Sequence, residues 1–269
     1  YISTQRADFS PTPGSALIQA ATLGNAGVYL LARVSPAFEA VPGWKTAVII
    51  VGALTALLAA CLAITAKDLK RVLAYSTVSQ LGYMVYAVGV GSVLAAQFHL
   101  FSHAVFKALL FLAAGGIIHS LGTRLMENMG GLSKQIPFLR NVFIIGALAL
   151  AGLPILNGFW SKELILEAGL KEGPIWAYIA MLIGAGLTAL YTLRMVWMVF
   201  FGQPSSWLKE HAPHPHDAGP AMRIALAVLS LGALSTWLLV GPFSHLLEST
   251  LPEHEIHLLS LGALVEEVL

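Results

Sequence analysis

Charge is scarce: only 11% of the 269 residues are Asp, Glu, Lys or Arg, where an ordinary soluble domain carries roughly 25%. With 57% hydrophobic residues and a mean hydropathy of +0.76, the chain is predicted to be an all-α membrane protein. Excess charge of one sign is also missing. The net charge is +1 and the 15 Lys and Arg are scattered, so no basic patch exists for nucleic acid and no nucleic-acid partner is expected. Cys61 is alone, which excludes a disulfide or a cysteine-based metal site within the chain and leaves it as a small buried hydrophobe. No nicotinamide, flavin or iron–sulfur signature is present, so no cofactor is expected on this chain. The opening "YISTQRADFSPTPG" has neither an initiator Met nor a signal-peptide pattern and reads as the interior of a longer chain.

Long apolar runs are what the sequence has instead. Windows of about 20 residues, the length that crosses a bilayer core, fall at 15–34, 46–66, 72–91, 94–118, 141–169, 174–200 and 221–241. This predicts about seven transmembrane helices in one domain, 15–241, with a stub at 1–14 and a tail at 242–269 that stops before further helices. Loop punctuation separates the windows: "SPAFEAVPGW", "KDLKR", "MENMGGLSKQIP" and "GQPSSWLKEHAPHPHDAGP". Arg6, Lys67, Lys70, Arg71, Arg124, Lys134, Arg140, Lys209 and Arg223 fall on the side of the N-terminus, against Arg33, Lys45 and Lys171 opposite. The positive-inside rule then makes the N-terminus cytoplasmic. His211, His214 and His216 lie in a proline-broken polar loop, where adventitious metal affinity at most is expected.

The fifth window is too long. At about 29 residues it would extend about 44 Å as one helix, against a hydrocarbon core of roughly 30 Å. Its middle, "AGLPILNGFWSKE", contains Pro154, which lacks a backbone donor, and Gly152, Asn157 and Gly158, which favour turns. A break near 153–158 is predicted, facing protein or a wet cavity as broken membrane helices must. A plain proline kink is the simpler alternative.

Two lysines stand apart from loops and helix ends. His99, His103 and Lys107 are spaced i, i+4, i+8, so each is turned only about 40° from the last and the three form a column on one helix face. A charged lysine at mid-bilayer costs at least about 2.5–3.5 kcal/mol and commonly marks a proton or ion path. Histidine titrates near neutrality and a desolvated amine gives up its proton more readily than one in water, so the column can pass protons. Separate hydrogen bonds from each histidine to a neighbouring helix would be the plainer reading. Lys162 follows the predicted break, with Glu163 beside it; apolar "LIL" continues afterwards, so this is not simply a solvated helix end. Glu167 and Lys171 are read as that solvated end.

"KDLKRVLAYSTVSQLGYM" (67–84), "HLFSHAVFKALLFLAAGGIIH" (99–119), "MGGLSKQIP" (129–137) and "LPILNGFWSKELIL" (153–166) together resemble the antiporter-like membrane subunits of respiratory complex I (NADH-quinone oxidoreductase), nearest the subunit L or chain 5 branch. The resemblance spans about residues 11–200 and implies the family's eighth to fourteenth transmembrane helices. It implies that Lys107 is the central lysine of the eleventh helix and Lys162 the terminal lysine of the broken twelfth. His99 and His103 would be the relay above Lys107, with Glu163 counted among the relay groups. Protons, possibly Na⁺, would move along a hydrated axis, driven by quinone reduction elsewhere. The implied setting is the bacterial inner membrane, with other membrane-arm subunits and the lipid bilayer as partners. NADH, FMN, iron–sulfur clusters and quinone would be held by partner subunits. Gln19 stands where the family usually has a titratable His, and an amide can hold a water wire but cannot bind and release a proton. The family's first seven helices and its long lateral helix are not in this stretch, so alone it is expected to hold at most half a pathway. A multisubunit Na⁺/H⁺ antiporter or membrane-bound hydrogenase subunit is the alternative within transport, and a passive structural spacer the alternative outside it.

Overall fold

Apolar runs of bilayer length become helices because, in hydrocarbon, every backbone N–H and C=O must find its partner inside its own segment. The computed structural model describes residues 23–212 and 214–248. The stub at 1–14, Arg6, Gln19 and residues 249–269 of the tail lie outside the described residues. In chain order the α-helices are α1 Leu23–Phe38, α2 Trp44–Thr65, α3 Leu69–Gly89, α4 Val93–Leu121, α5 Pro137–Ala151, α6 Asn157–Glu172, α7 Ile175–Val196, α8 Ser206–His211, α9 Pro220–Ser235 and α10 Val240–Glu248. A π-helical turn, Trp197–Phe201, extends α7, and a 3₁₀ turn, Thr236–Leu239, joins α9 to α10. Among the described residues the only β pairing is an isolated bridge between Asp68 and Leu125.

Among the described residues four stretches are long and apolar enough to cross a membrane: Trp44–Thr65, Val93–Leu121, Ile175–Phe201 and Pro220–Leu246. Helix α3 has the length, at 21 residues, but Ser76, Thr77, Ser79 and Gln80 dilute its hydropathy. It can carry them because it is buried on nearly every side, so those groups face other helices and not lipid. The core lies around α3, α4, α5 and α7, where Leu73, Phe106, Leu110, Phe143 and Met195 are buried together.

Small residues set the approach of α2 to α3. The inner side of α2 is Gly52, Ala53, Ala56, Ala59, Ala60 and Ala63, a face that lets backbones close on one another. A Cβ added at Gly82 would lie 2.5 Å from the Ala56 nitrogen, and one at Gly52 would lie 2.5 Å from the Tyr86 nitrogen. Across this contact Ser79 Oγ donates to the Ala56 carbonyl at 2.9 Å. Gly82→Leu must therefore push backbone against backbone, and overpacking of this kind costs about 1–3 kcal/mol. A lower thermal midpoint of the purified protein is expected for Gly82→Leu, with Gly27→Ala unchanged because nothing lies within 4 Å of a Cβ there. Equal midpoints for the two variants would refute the close contact.

The outer side of α2 carries Val51, Leu54, Leu58 and Leu62, all exposed. Cys61 is also exposed, which corrects the expectation that it is buried. The burial assigned from its apolar surroundings holds in water, but on a membrane helix an apolar residue is equally at home facing lipid.

The cation-rich ends are stitched together. Asp68 caps α3 by accepting from the Arg71 N–H at 3.2 Å and pairs with Arg124 at 2.7 Å, while Arg194 donates to the Ala66 carbonyl at 3.0 Å. The polar "HAPHPHD" strap supplies Asp217, whose carboxylate accepts from the Phe138 and Leu139 N–H groups at 2.8 and 3.1 Å. It thereby satisfies orphan donors at the start of α5.

Candidate functional site

The helix break comes first, because it places one of the two lysines. Helix α5 ends at Ala151 and Gly152 adopts a left-handed conformation with φ +90°, reached without strain only by glycine. The non-helical segment is 152–156, not 153–158: Asn157 and Gly158 already belong to α6. Both residues were read as turn formers, and packing overrides that preference. Asn157 Nδ2 donates to Thr236 Oγ1 at 2.8 Å and to the Ser102 carbonyl at 3.3 Å, which pins the start of α6 to α4 and to the turn after α9. Gly158 is needed for space, since a Cβ there would collide with the Ala149 carbonyl. Leu153, Pro154 and Ile155 are exposed on the molecule's surface.

Ending α5 in mid-course leaves carbonyls without helical partners and places the negative end of its dipole inside the bundle. Lys162 uses this. Helical side chains lean toward the N-terminus of their own helix, and here that carries the Lys162 ammonium back over the break, where it donates to the Leu150 carbonyl at 3.0 Å. The ammonium also sits 5.8 Å from the centroid of the Tyr83 ring, within cation–π range.

Helix α4 carries the column expected from spacing, and His99, His103 and Lys107 are all fully buried. Lys107 Nζ donates to the Leu73 carbonyl at 3.1 Å and to Ser76 Oγ. Ser76 in turn donates to the Leu73 carbonyl at 2.8 Å. His99 bridges two helices, with Nδ1 2.9 Å from Ser161 Oγ on α6 and Nε2 3.0 Å from Gln80 Oε1 on α3. His103 packs its ring edge-on to Phe106 at 5.4 Å and lies 6.1 Å from the His99 ring, yet neither of its nitrogens has a hydrogen-bond partner in the protein. The three groups share one face of α4, and the direct bonds that His99 and Lys107 make run sideways into α3 and α6 and not down the column.

The partners of both ammonium groups are neutral oxygens. Glu163 is half-buried one residue beyond Lys162, and adjacent helical residues point about 100° apart. Lys171 pairs with Glu167 one turn away and is 61% exposed, the solvated helix end read from the sequence. Among the described residues no group of three His, Cys, Asp or Glu could hold a metal ion. Ser76, Gln80, Asn157, Ser161 and Tyr191 were missed as site residues. Ser76 and Gln80 had a readable signal, since "STVSQ" puts polar groups four residues apart inside an apolar window; Tyr191 had none.

The profile of the family described as NADH:quinone oxidoreductase/Mrp antiporter, TM, matches residues 6–188, more than half of the chain. The chain belongs to this family. It is accordingly an integral membrane protein of antiporter-like fold. It is 42% identical over 236 residues to NADH-quinone oxidoreductase subunit L of Rhodobacter capsulatus, covering 83% of this chain and 33% of that protein. It is 47% identical over 225 residues to NADH-ubiquinone oxidoreductase chain 5 of Allomyces macrogynus, covering 82% of this chain and 35% of that one. The chain therefore spans about a third of the length of these curated relatives. Among solved structures it resembles a chain of the membrane-bound sulfane sulfur reductase, an archaeal respiratory membrane complex, with a TM-score of 0.79 and 29% identity over 92% of this chain and 50% of that one. A chain of the Mrp complex from Dietzia sp. DQ12-45-1b shares the fold, with a TM-score of 0.80 at 23% identity over 91% of this chain and 53% of that one.

Proposed function

We propose that this chain is part of the proton-translocating subunit L, or chain 5, of NADH-quinone oxidoreductase, with Lys107, His103, His99, Lys162 and Glu163 as proton-carrying groups. The observation that carries the reading is a pair of lysines buried in a membrane bundle, each bonded to neutral oxygens. A buried ammonium held by a neutral oxygen can give up its proton and stay as a neutral amine without stranding a counter-charge, which a buried ion pair cannot do. In this reading residues 15–241 form the translocating domain, flanked by the stub at 1–14 and the tail at 242–269. Quinone reduction in partner subunits, which hold the NADH, FMN and iron–sulfur chemistry, supplies the driving force, and other membrane-arm subunits flank the chain. The setting is the bacterial inner membrane, with the N-terminal end cytoplasmic.

The family's description also covers Mrp antiporters, which makes Na⁺/H⁺ exchange the second reading. Sealed inside-out vesicles bearing the intact subunit in its complex separate the two. NADH should acidify the lumen in sodium-free buffer. Proton movement that needs an imposed sodium gradient and ignores NADH would instead establish the antiporter reading.

Orientation has its own test. In a Cys61→Ser background, an impermeant thiol reagent applied to right-side-out vesicles should modify a cysteine placed at position 172 and spare one at position 68. The reverse pattern would place the N-terminus outside and overturn the helix numbering.

A further inference from the structure

Helix α5 stops and α6 starts near the middle of the membrane. From Arg140, at the cation-rich end, to Ala151 the helix rises about 17 Å, and from Asn157 to the solvated Lys171 it rises about 21 Å. The turn 152–156 therefore lies close to the centre of a hydrocarbon core roughly 30 Å thick. A second irregularity lies at the same depth. Helix α9 rises about 18 Å from Arg223 to Ser235 before the 3₁₀ turn Thr236–Leu239. The two turns are fastened together by the Asn157–Thr236 bond at 2.8 Å and by the stacked rings of Trp160 and Trp237 at 5.3 Å.

The inner side of the 152–156 turn is occupied. Lys162 donates to the Leu150 carbonyl at 3.0 Å, and a Cβ on Gly152 would lie 3.7 Å from the lysine's Nζ. The outer side is bare. Ile155 is 70% exposed and Leu153 41%, with Pro154 exposed between them. The Leu153 carbonyl takes the Leu156 N–H. Among the described residues, the Ile155 N–H and the carbonyls of Gly152, Pro154 and Ile155 have no hydrogen-bond partner. Lipid cannot supply one, and irregular backbone at this depth occurs only where protein or a water-filled cavity meets it. Water would satisfy the carbonyls, but it would also have to wet the apolar side chains of Leu153, Pro154 and Ile155. A protein segment can meet both.

We propose that the Leu153–Ile155 turn docks a transmembrane helix of another subunit of the complex. That helix presents side-chain hydroxyl or amide donors to the unpartnered carbonyls and apolar surface to Leu153 and Ile155. Carbonyls outnumber N–H groups among the unpartnered ones, so the partner must mainly donate, as Ser, Thr, Asn and Gln do between membrane helices. The negative end of the α5 dipole, which points at the same turn, favours donors as well. Seated there, the partner closes the turn behind Lys162 against lipid.

The inference rests on the proposed place of the chain among membrane-arm subunits, and its test separates the two. Ile155→benzoylphenylalanine in the intact subunit, illuminated in the assembled complex, should give a heavier species that joins this chain to a second subunit. Peptide mapping should place the adduct on a transmembrane segment, within one helical turn of a Ser, Thr, Asn or Gln. Leu153 carries the probe if the replacement at 155 does not assemble. Adducts with phospholipid alone, or within this chain alone, would overturn the docking while the co-purified subunits leave the proposed function standing. Ready reaction of Ile155→Cys, in the Cys61→Ser background, with a water-borne methanethiosulfonate would also overturn it, because the turn would then face a wet cavity. A chain that purifies with no other subunit would remove both.

Discussion

Complexes assembled with Lys107→Ala are expected to transfer electrons while proton translocation falls by roughly 10²-fold or more, the lower end of what a positioned proton-transfer group contributes. The effect should be large because nothing nearby can substitute. Lys107 is fully buried, and its bonds go to the Leu73 carbonyl and the Ser76 hydroxyl, neither of which titrates in the physiological range. Removing the amine also removes the cation that polarises Ser76. Assembly is measured first, by native gel and by NADH oxidation coupled to quinone reduction, and pumping is then scored per electron transferred. Assembled Lys107→Ala complexes that pump at the parental ratio would hand the case to a passive spacer.

Gly158→Val should be the most damaging single change to the break. A side chain at 158 is directed at the Ala149 carbonyl, which is backbone and cannot rotate away, so the cost lies toward the upper part of the about 1–3 kcal/mol usual for overpacking. The two half-helices must separate, and the Leu150 carbonyl then moves off the Lys162 ammonium it now holds at 3.0 Å. Reduced amounts of assembled complex are expected, with a smaller deficit for Gly158→Ala because one methyl is easier to accommodate. Normal assembly and full pumping in Gly158→Val would mean that the close approach of Gly158 to Ala149 is not required.

The helices were legible because hydrocarbon enforces them: the windows at 46–66, 94–118 and 174–200 correspond to Trp44–Thr65, Val93–Leu121 and Ile175–Phe201. The His99, His103 and Lys107 column was legible because helical periodicity alone places the three residues on one face. Less could be read where tertiary partners decide. Asn157 and Gly158 look like turn residues in isolation, yet one is held by Thr236, 79 residues away, and the other is dictated by a carbonyl of the preceding half-helix. The window at 221–241 is not one straight helix but passes through a 3₁₀ turn and continues in α10 to Glu248. Pro242 contributes to this, since it offers no N–H to the carbonyl four residues earlier. Tyr191 was invisible for a different reason: an aromatic residue within an apolar span reads as core, and nothing in its spacing signals that its fully buried hydroxyl is left without a hydrogen-bond partner. Cys61 shows the converse error, because the inference from apolar neighbours to burial assumes water outside.

The central claim is that Lys107 hands protons on and is not merely a fixed buried cation, and the proton-to-electron ratio of assembled Lys107→Arg complexes tests it most directly. Arginine keeps the positive charge and the hydrogen-bond donors but stays protonated at any accessible pH, so it can satisfy Leu73 and Ser76 without releasing a proton. A ratio as low as that of Lys107→Ala is expected. A parental ratio in Lys107→Arg would contradict the account, because charge alone would then suffice at this position.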